Sequence, residues 1–359
     1  MSTAIAGATP AQNLEAQQKG HAVAQTLRIA VVGAGRMGTD HIQRLHRRIT
    51  GAAVTAVVDI DLDRVNAAIE GIPGAAAYSD LAQALDSGQV DAVLLATPGF
   101  LHKDALLSIL ERNLPVLCEK PLTMDAATSW DVVQAEAALG AKRIQVGFMR
   151  RFDAEYIQLR DLVAGGELGE LLMLHHQHRN PDIPPGFTSE NMIADSVVHE
   201  FDAIRFFTGE EITSVQVRTG KKTRTNGGTL ADPQHVLIET ESGVLADVEI
   251  FVQAKFGYQV ATEAAFEEGI VNIGGDSGAY VRSAGRWGGN VTPGFEERFI
   301  AAYDTEIQAW VDASLRGEIA GPSAWDGYAA AACCEAGIEA LHSGAKIDVK
   351  LQTKPELYA

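Results

Sequence analysis

From residue 27 onward, short apolar runs alternate with stretches whose apolar residues recur every three to four positions. The runs at 27–32, 53–58, 92–96 and 116–117 are almost continuously apolar, as expected of strands in a parallel sheet covered on both faces. Helical patterns fill the intervals at 37–48, 62–70, 81–85 and 101–112, and a helix at 125–139 and a strand at 143–148 follow. This alternation predicts an α/β Rossmann-type domain, a doubly wound parallel sheet over residues 27–149. The pattern changes after about Arg150. A helix near 154–163 leads to a strand near 171–178, the proline-rich loop 181–185 and a helix carrying His199. Runs at 214–219, 235–240, 244–254, 258–265 and 269–273 then follow one another without intervening helices. They predict an α+β domain with a large, mainly antiparallel open sheet, read as the substrate-binding and oligomerisation domain over 150–359. The glycine-rich stretch 274–294 reads as a loop. Helices near 295–315 and 324–342 close the chain, the last expected to pack back on the first domain. Residues 1–26 read as a mobile extension, with no apolar block long enough for a secretion signal.

Two places in this pattern carry chemistry. The first is Gly33-Ala34-Gly35-Arg36-Met37-Gly38, between the first strand and the first helix. In G-x-G-x-x-G the first glycine permits a tight turn. The second admits a pyrophosphate to the backbone, and the third lets helix and strand pack closely. The amides at the helix start, including those of Arg36 and Met37, favour the anion. Asp59 ends the second strand, where a carboxylate accepts hydrogen bonds from ribose hydroxyls and repels a 2′-phosphate. Ile60 follows, and no arginine is immediately at hand, so NAD is expected rather than NADP. Thr97 and Pro98 end another strand and are expected to floor the cofactor site. Glu119, Lys120 and Pro121 end a third, at the strand edge where ligands bind in open α/β sheets.

The second place is the run from Asp195 to Phe207. At about 100° per residue on an α-helix, Asp195, His199 and Asp202 fall on one narrow stripe, with Val197, Val198, Phe201 and Ile204 on other faces. The stripe reads either as the solvated side of an amphipathic helix or as a carboxylate that orients a histidine for acid–base chemistry. Periodicity does not separate the two.

In its order of motifs the chain resembles the family that joins glucose–fructose oxidoreductase, inositol dehydrogenase and the rhizopine catabolism proteins. The matching elements are the G-x-G-x-x-G turn, Glu119-Lys120-Pro121 and Asp195-x-x-x-His199, in order over residues 27 to about 350. The segments Gln145–Asp153, His178–Pro181, Arg298-Phe299 and Ala302–Asp304 are similar to the inositol branch. The resemblance implies an NAD-dependent dehydrogenase that acts on a CH–OH group of a small polyol or sugar in carbohydrate catabolism. It implies Lys120, Asp195 and His199 as catalytic residues: His199 as base, Asp195 to orient it, and Lys120 to hold the reacting oxygen. Arg150, His178 and Tyr258, with Tyr303 nearby, would line the substrate pocket. Myo-inositol oxidation to the 2-ketone is the expected reaction, with another inositol isomer or a pyranose as alternatives and a dinucleotide-sensing regulator as the non-enzymatic one. The resemblance also implies a homotetramer formed through the open sheet.

Composition narrows the partners. A formal net charge of −18 disfavours nucleic acid and anionic membranes, and no stretch of about 20 apolar residues suggests a membrane span. The cysteines Cys118, Cys333 and Cys334 form no disulfide framework, which fits a reducing, cytoplasmic setting. The triplet His175-His176-x-His178 suggests a metal, but on a strand His175 points away from the other two. No metal is expected.

Overall fold

In the computed structural model, which describes residues 26–224, 228–275 and 281–359, the first half of the chain forms one parallel sheet. The proposed extension 1–26 therefore lies, but for its last residue, outside the described residues. The sheet contains β1 (Leu27–Val32), β2 (Ala52–Val58), β3 (Ala76–Tyr78), β4 (Ala92–Leu95), β5 (Val116–Glu119) and β6 (Ile144–Gly147), in the order β3-β2-β1-β4-β5-β6. Helices α1 (Arg36–Arg47), α2 (Leu62–Ile69), α3 (Leu81–Asp86), α4 (His102–Glu111) and α5 (Ala126–Leu139) make the crossovers. Strand β3 was not legible in the sequence. It is three residues long and lies at the sheet edge with none of them buried, so it lacks the apolar run that marks β1 or β4.

The second half begins with α6 (Ala154–Gly165) and builds a seven-stranded sheet against one long buried helix. Its strands are β7 (Leu171–Arg179), β8 (Ile212–Thr219), β9 (Gln234–Thr240), β10 (Leu245–Phe251), β11 (Gln259–Phe266), β12 (Ile270–Ile273) and the late β15 (Lys346–Asp348). The order is β12-β11-β7-β10-β9-β8-β15, antiparallel throughout except for the parallel pair β7 and β10. Alternation is clean. Leu174, His176 and His178 of β7 and Val248 and Ile250 of β10 point inward and are buried, while Met173 and Leu245 share the outer face.

The stretch 274–294 is not wholly irregular: Val281–Ser283 (β13) and Arg286–Gly288 (β14) pair as a small antiparallel ribbon. A Gly285 turn at φ +72° joins the two strands. The chain then returns to the first domain. The predicted helix 295–315 is broken at Phe299 into α8 (Phe295–Arg298) and α9 (Ile300–Ser314), and α9 buries Ile307, Trp310 and Val311 against β1, β2 and α1. Helix α10 (Ala324–Ser343) packs on α5 and α7 (Val198–Thr208), and the terminal Tyr358 hydroxyl donates to buried Glu136 of α5. This return path holds the carboxyl edge of the first sheet against the inner side of the second.

Candidate active site

The phosphate-binding turn is built by exclusion. Gly33 sits at φ +99°, donates its N–H to Val58 at 2.7 Å, and would place a Cβ 2.6 Å from the Ala96 carbonyl. A Cβ on Gly38 would lie 1.8 Å from the Gly33 carbonyl oxygen, so α1 docks only because both positions lack side chains. Gly35 differs, since nothing lies within 4 Å of its Cβ position. That open side, at the start of a twelve-residue helix, suits a pyrophosphate approaching backbone amides. Asp59 is fixed beside it: Oδ2 accepts the Ala34 N–H at 2.8 Å and Oδ1 the Asp61 N–H at 3.0 Å. Burial pushes its pKa up, but these two amides and the charge of Arg64 outweigh burial and hold the carboxyl below its ordinary range. The expectation that no arginine attends this edge is corrected here. Arg64, five residues on in the first turn of α2, reaches back to Asp59. Thr97 Oγ1 is buried without a partner among the described residues, and Ile60 and Phe100 stand exposed past the ends of β2 and β4, where an aromatic base would need apolar cover. The residues present therefore fit NAD.

Lys120 follows β5, and its Nζ donates to Asp195 Oδ1 at 2.5 Å and to the Asp195 carbonyl at 3.0 Å. The lysine charge outweighs burial and keeps Asp195 below the usual carboxylate range. Glu119 anchors the lysine from behind, accepting the Lys120 N–H at 3.3 Å on Oε2 and meeting His41 Nε2 of α1 at 2.7 Å on Oε1. His199 opens α7 edge-on to Phe148, with ring centroids 6.2 Å apart. Burial, then the charges of Arg150 and Lys120, push its pKa well below the ordinary imidazole value. His199 is thus a neutral base able to accept a proton.

The stripe read from the sequence survives only in part: Asp195 and His199 line one cavity, and Asp202 does not. Met192–Val197 is π-helical, so Asp195 is not related to His199 by α-helical rotation. No hydrogen bond joins the two among the described residues: Asp195 holds Lys120, and His199 Nδ1 is buried without a partner. Asp202 faces away from the cleft, buried, with Arg151 Nη2 at 2.6 Å and Nε at 2.9 Å. Nor is any face of α7 solvated, since nine of its eleven residues are buried, charged ones included. Arg205 pairs with Glu211 at 2.7 Å and with Asp326 at 2.8 Å.

One functional residue went unread. Glu200, next to His199, is buried and binds two pocket residues. Its Oε1 pairs with Arg150 Nη1, and His178 Nδ1 lies 3.0 Å from each carboxylate oxygen. Burial would raise its pKa, but Arg150 and His178 reverse that and keep Glu200 ionised. The same Nδ1 also lies 3.4 Å from Arg150 Nη2, so His178, Glu200 and Arg150 form one buried cluster behind the pocket. The available signal was a carboxylate amid Val197, Val198 and Phe201, a setting that demands a buried partner. Tyr258 and Tyr303 are also buried, and burial raises both phenols, so they remain hydroxyl donors. His176 Nδ1 lies 2.8 Å from Thr262 Oγ1 and burial pushes its pKa down to about 4. His175 points outward to Asp247 at 2.5 Å, as the strand alternation requires. Among the described residues no group of three or more His, Cys, Asp or Glu is placed to hold a metal.

Lys120, Arg150, His178, Asp195, His199, Tyr258 and Tyr303 all line one cavity of about 650 Å³, with Arg36, Met37 and Glu119 at the cofactor side. Gly33, Gly35, Gly38, Asp59, Thr97 and Pro98 do not line it; they lie along the adjoining strand edge. Arg36 reaches across to pair with Glu296 and stacks over Phe295 at 5.4 Å, so the second domain leans on the phosphate-binding turn.

Comparison with known proteins agrees with this geometry. Residues 27–148 match the oxidoreductase family with the NAD-binding Rossmann fold, and residues 156–272 match the GFO/IDH/MocA C-terminal domain. An inositol 2-dehydrogenase of Pseudarthrobacter chlorophenolicus is 72% identical over 335 residues, covering 93% of this chain and 99% of that protein. Another, from an Arthrobacter species, is 71% identical with the same coverage. The crystal structure of myo-inositol dehydrogenase from Lactobacillus casei, in complex with NAD(H) and myo-inositol, is 31% identical at a TM-score of 0.90. It covers 93% of this chain and all of that one.

Proposed function

Because the chain belongs to the GFO/IDH/MocA oxidoreductase family, we propose that it oxidises myo-inositol to the 2-ketone with NAD. The observation that carries this reading is the convergence of a neutral buried histidine, an anchored lysine and several fixed polar groups in one cavity beside the phosphate-binding turn. Bound NAD supplies the hydride acceptor. His199 takes the proton of the reacting hydroxyl, and its lowered pKa keeps it ready to do so at neutral pH. Lys120 donates to the same oxygen and stabilises the negative charge that grows there. Asp195 aims the lysine and balances its charge. Arg150, Tyr258 and His178 offer polar groups to the remaining hydroxyls, the fixed set a polyol ring needs to be held in one orientation. Relatives named inositol 2-dehydrogenase, and a neighbour solved with myo-inositol, support the substrate. The test is NADH formation over a panel of myo-inositol, other inositol isomers and pyranoses. The highest kcat/KM belongs to myo-inositol, and no turnover of any inositol would overturn the reading.

The assembly is read as a homotetramer. Met173 and Leu245 are direct neighbours on the outer face of the second sheet, and Leu237 lies on the same face opposite Asp247. A second copy would cover this apolar strip. A monomer mass by light scattering would rule it out. A cytoplasmic location is consistent with three buried thiols behaving as small hydrophobes. Among the described residues no helix is long and apolar enough to cross a membrane.

A further inference from the structure

A buried histidine behind Lys120 takes no part in the proposed proton and hydride transfers. His41 lies in α1, five residues after Arg36 opens that helix, and is fully buried. Its Nε2 meets Glu119 Oε1 at 2.7 Å, and its Nδ1 is buried without a partner among the described residues. The polar contact of the ring is thus with one carboxylate, and that carboxylate is pinned on its other oxygen. Glu119 Oε2 accepts the Lys120 N–H at 3.3 Å. It also lies against the backbone of β6, where a Cβ on Gly147 would come within 3.1 Å of it.

His41 has no room to swing aside. The Tyr303 ring of α9 stands edge-on to it, with centroids 5.9 Å apart. One turn on, Arg44 stacks over the same tyrosine at 5.3 Å, pairs with Asp304, and donates to the Ile300 carbonyl at 3.2 Å. A continuous line of contacts therefore runs from α1 through His41 and Glu119 to the backbone of Lys120. We propose that His41 is a positioning residue: through Glu119 it fixes the distance between a dinucleotide seated at the start of α1 and the lysine that meets the reacting oxygen. This rests on the dehydrogenase reading. Hydride transfer is steeply sensitive to that distance, and a misplacement of about 1 Å can cost about 10²-fold in rate. His41 does not itself line the cavity, so the binding of either ligand alone makes little demand on it.

Steady-state kinetics and NADH titration on the full chain test this with His41→Leu, His41→Asn and His41→Gln. Leucine removes the N–H donor, asparagine keeps one too short to reach Glu119, and glutamine keeps one at similar reach. In His41→Leu and His41→Asn, kcat for myo-inositol falls about tenfold or more, while KM and NADH affinity stay within about twofold. Deuterium at the reacting carbon slows these two variants more than it slows the native enzyme, because hydride transfer becomes the slow step. His41→Gln recovers most of kcat. A merely structural histidine would lower kcat in proportion to the folded fraction and leave the isotope effect unchanged, and that result overturns the proposal. So does a glutamine variant as slow as the asparagine one, a comparison that stands even where the leucine variant fails to fold. Absence of any turnover by the native chain would refute the dehydrogenase reading, and the role of His41 with it.

Discussion

The phosphate-binding turn at 33–38 and the helical run at 195–202 are both short, both charged with function, and fixed in opposite ways. In the turn the constraints are those of backbone packing: Gly38 is kept bare by the Gly33 carbonyl, five residues away, and Gly33 by the backbone of Ala96 at the end of a neighbouring strand. In the helical run the constraints are charged partners. Lys120 claims Asp195 across 75 residues, Arg151 claims Asp202 across 51, and Arg150 and His178 claim Glu200. A motif set by chain geometry is read one residue at a time. A motif set by partners is read only when the partners are in place.

That contrast can be broken, starting from its partner-dependent side. Glu200→Ala should cost about 3–5 kcal/mol, because it strands the Arg150 guanidinium in a buried site. Urea unfolding measures it, and a loss under about 1 kcal/mol would mean that the pair is dispensable. His176 gives a pH-dependent effect of up to about 3 kcal/mol. Its folded pKa, about 4, lies below the unfolded value of 6.5, so the unfolded chain takes up a proton first as pH falls. Stability is therefore complete above pH 6.5 and declines from there toward pH 4. Replacing His176 with Gln should flatten that decline, and an unchanged profile would show the histidine to be uninvolved. His199→Ala should lower kcat by about 10²-fold or more, some 2.7 kcal/mol, while NADH still binds. In the native enzyme the acid limb of kcat/KM should lie below the ordinary imidazole pKa, because His199 stays neutral there. A limb at or above that value contradicts the burial argument.

The smallest effects sharpen the local side. Gly35→Val should leave stability within about 0.5 kcal/mol, since nothing lies near its Cβ, while NADH affinity falls about tenfold. Gly38→Ala should disturb both, because its methyl group would meet the Gly33 carbonyl. Equal behaviour of the two variants would mean that the three glycines do not divide their labour as described.

Much of the architecture was legible because burial on both faces writes itself into β1, β4 and β5 as nearly continuous apolar runs. Edge strands β3 and β15 bury little and left no such trace. At the site, residue identities were easier than residue roles. Lys120, Arg150, His178, Asp195, His199, Tyr258 and Tyr303 do meet in one cavity. The contact that Asp195 makes there, with Lys120, was not foreseen, because the 100° rotation used to place it beside His199 does not hold through a π-helical turn. Glu200 was passed over because its neighbours along the chain look like core, and its partners lie 22 and 50 residues away.

The sequence by itself determined the two-layer order of the chain, the dinucleotide turn, and the set of polar residues that chemistry would need. The first two follow from apolar periodicity and backbone sterics, whereas the polar set is what the resemblance to a known family implies. Only the tertiary structure decided which carboxylate serves which cation, that Arg64 stands beside Asp59, and that burial holds His199 neutral. Those are properties of burial and of charge at a distance. Both depend on which distant segments the fold brings together, which no local window contains.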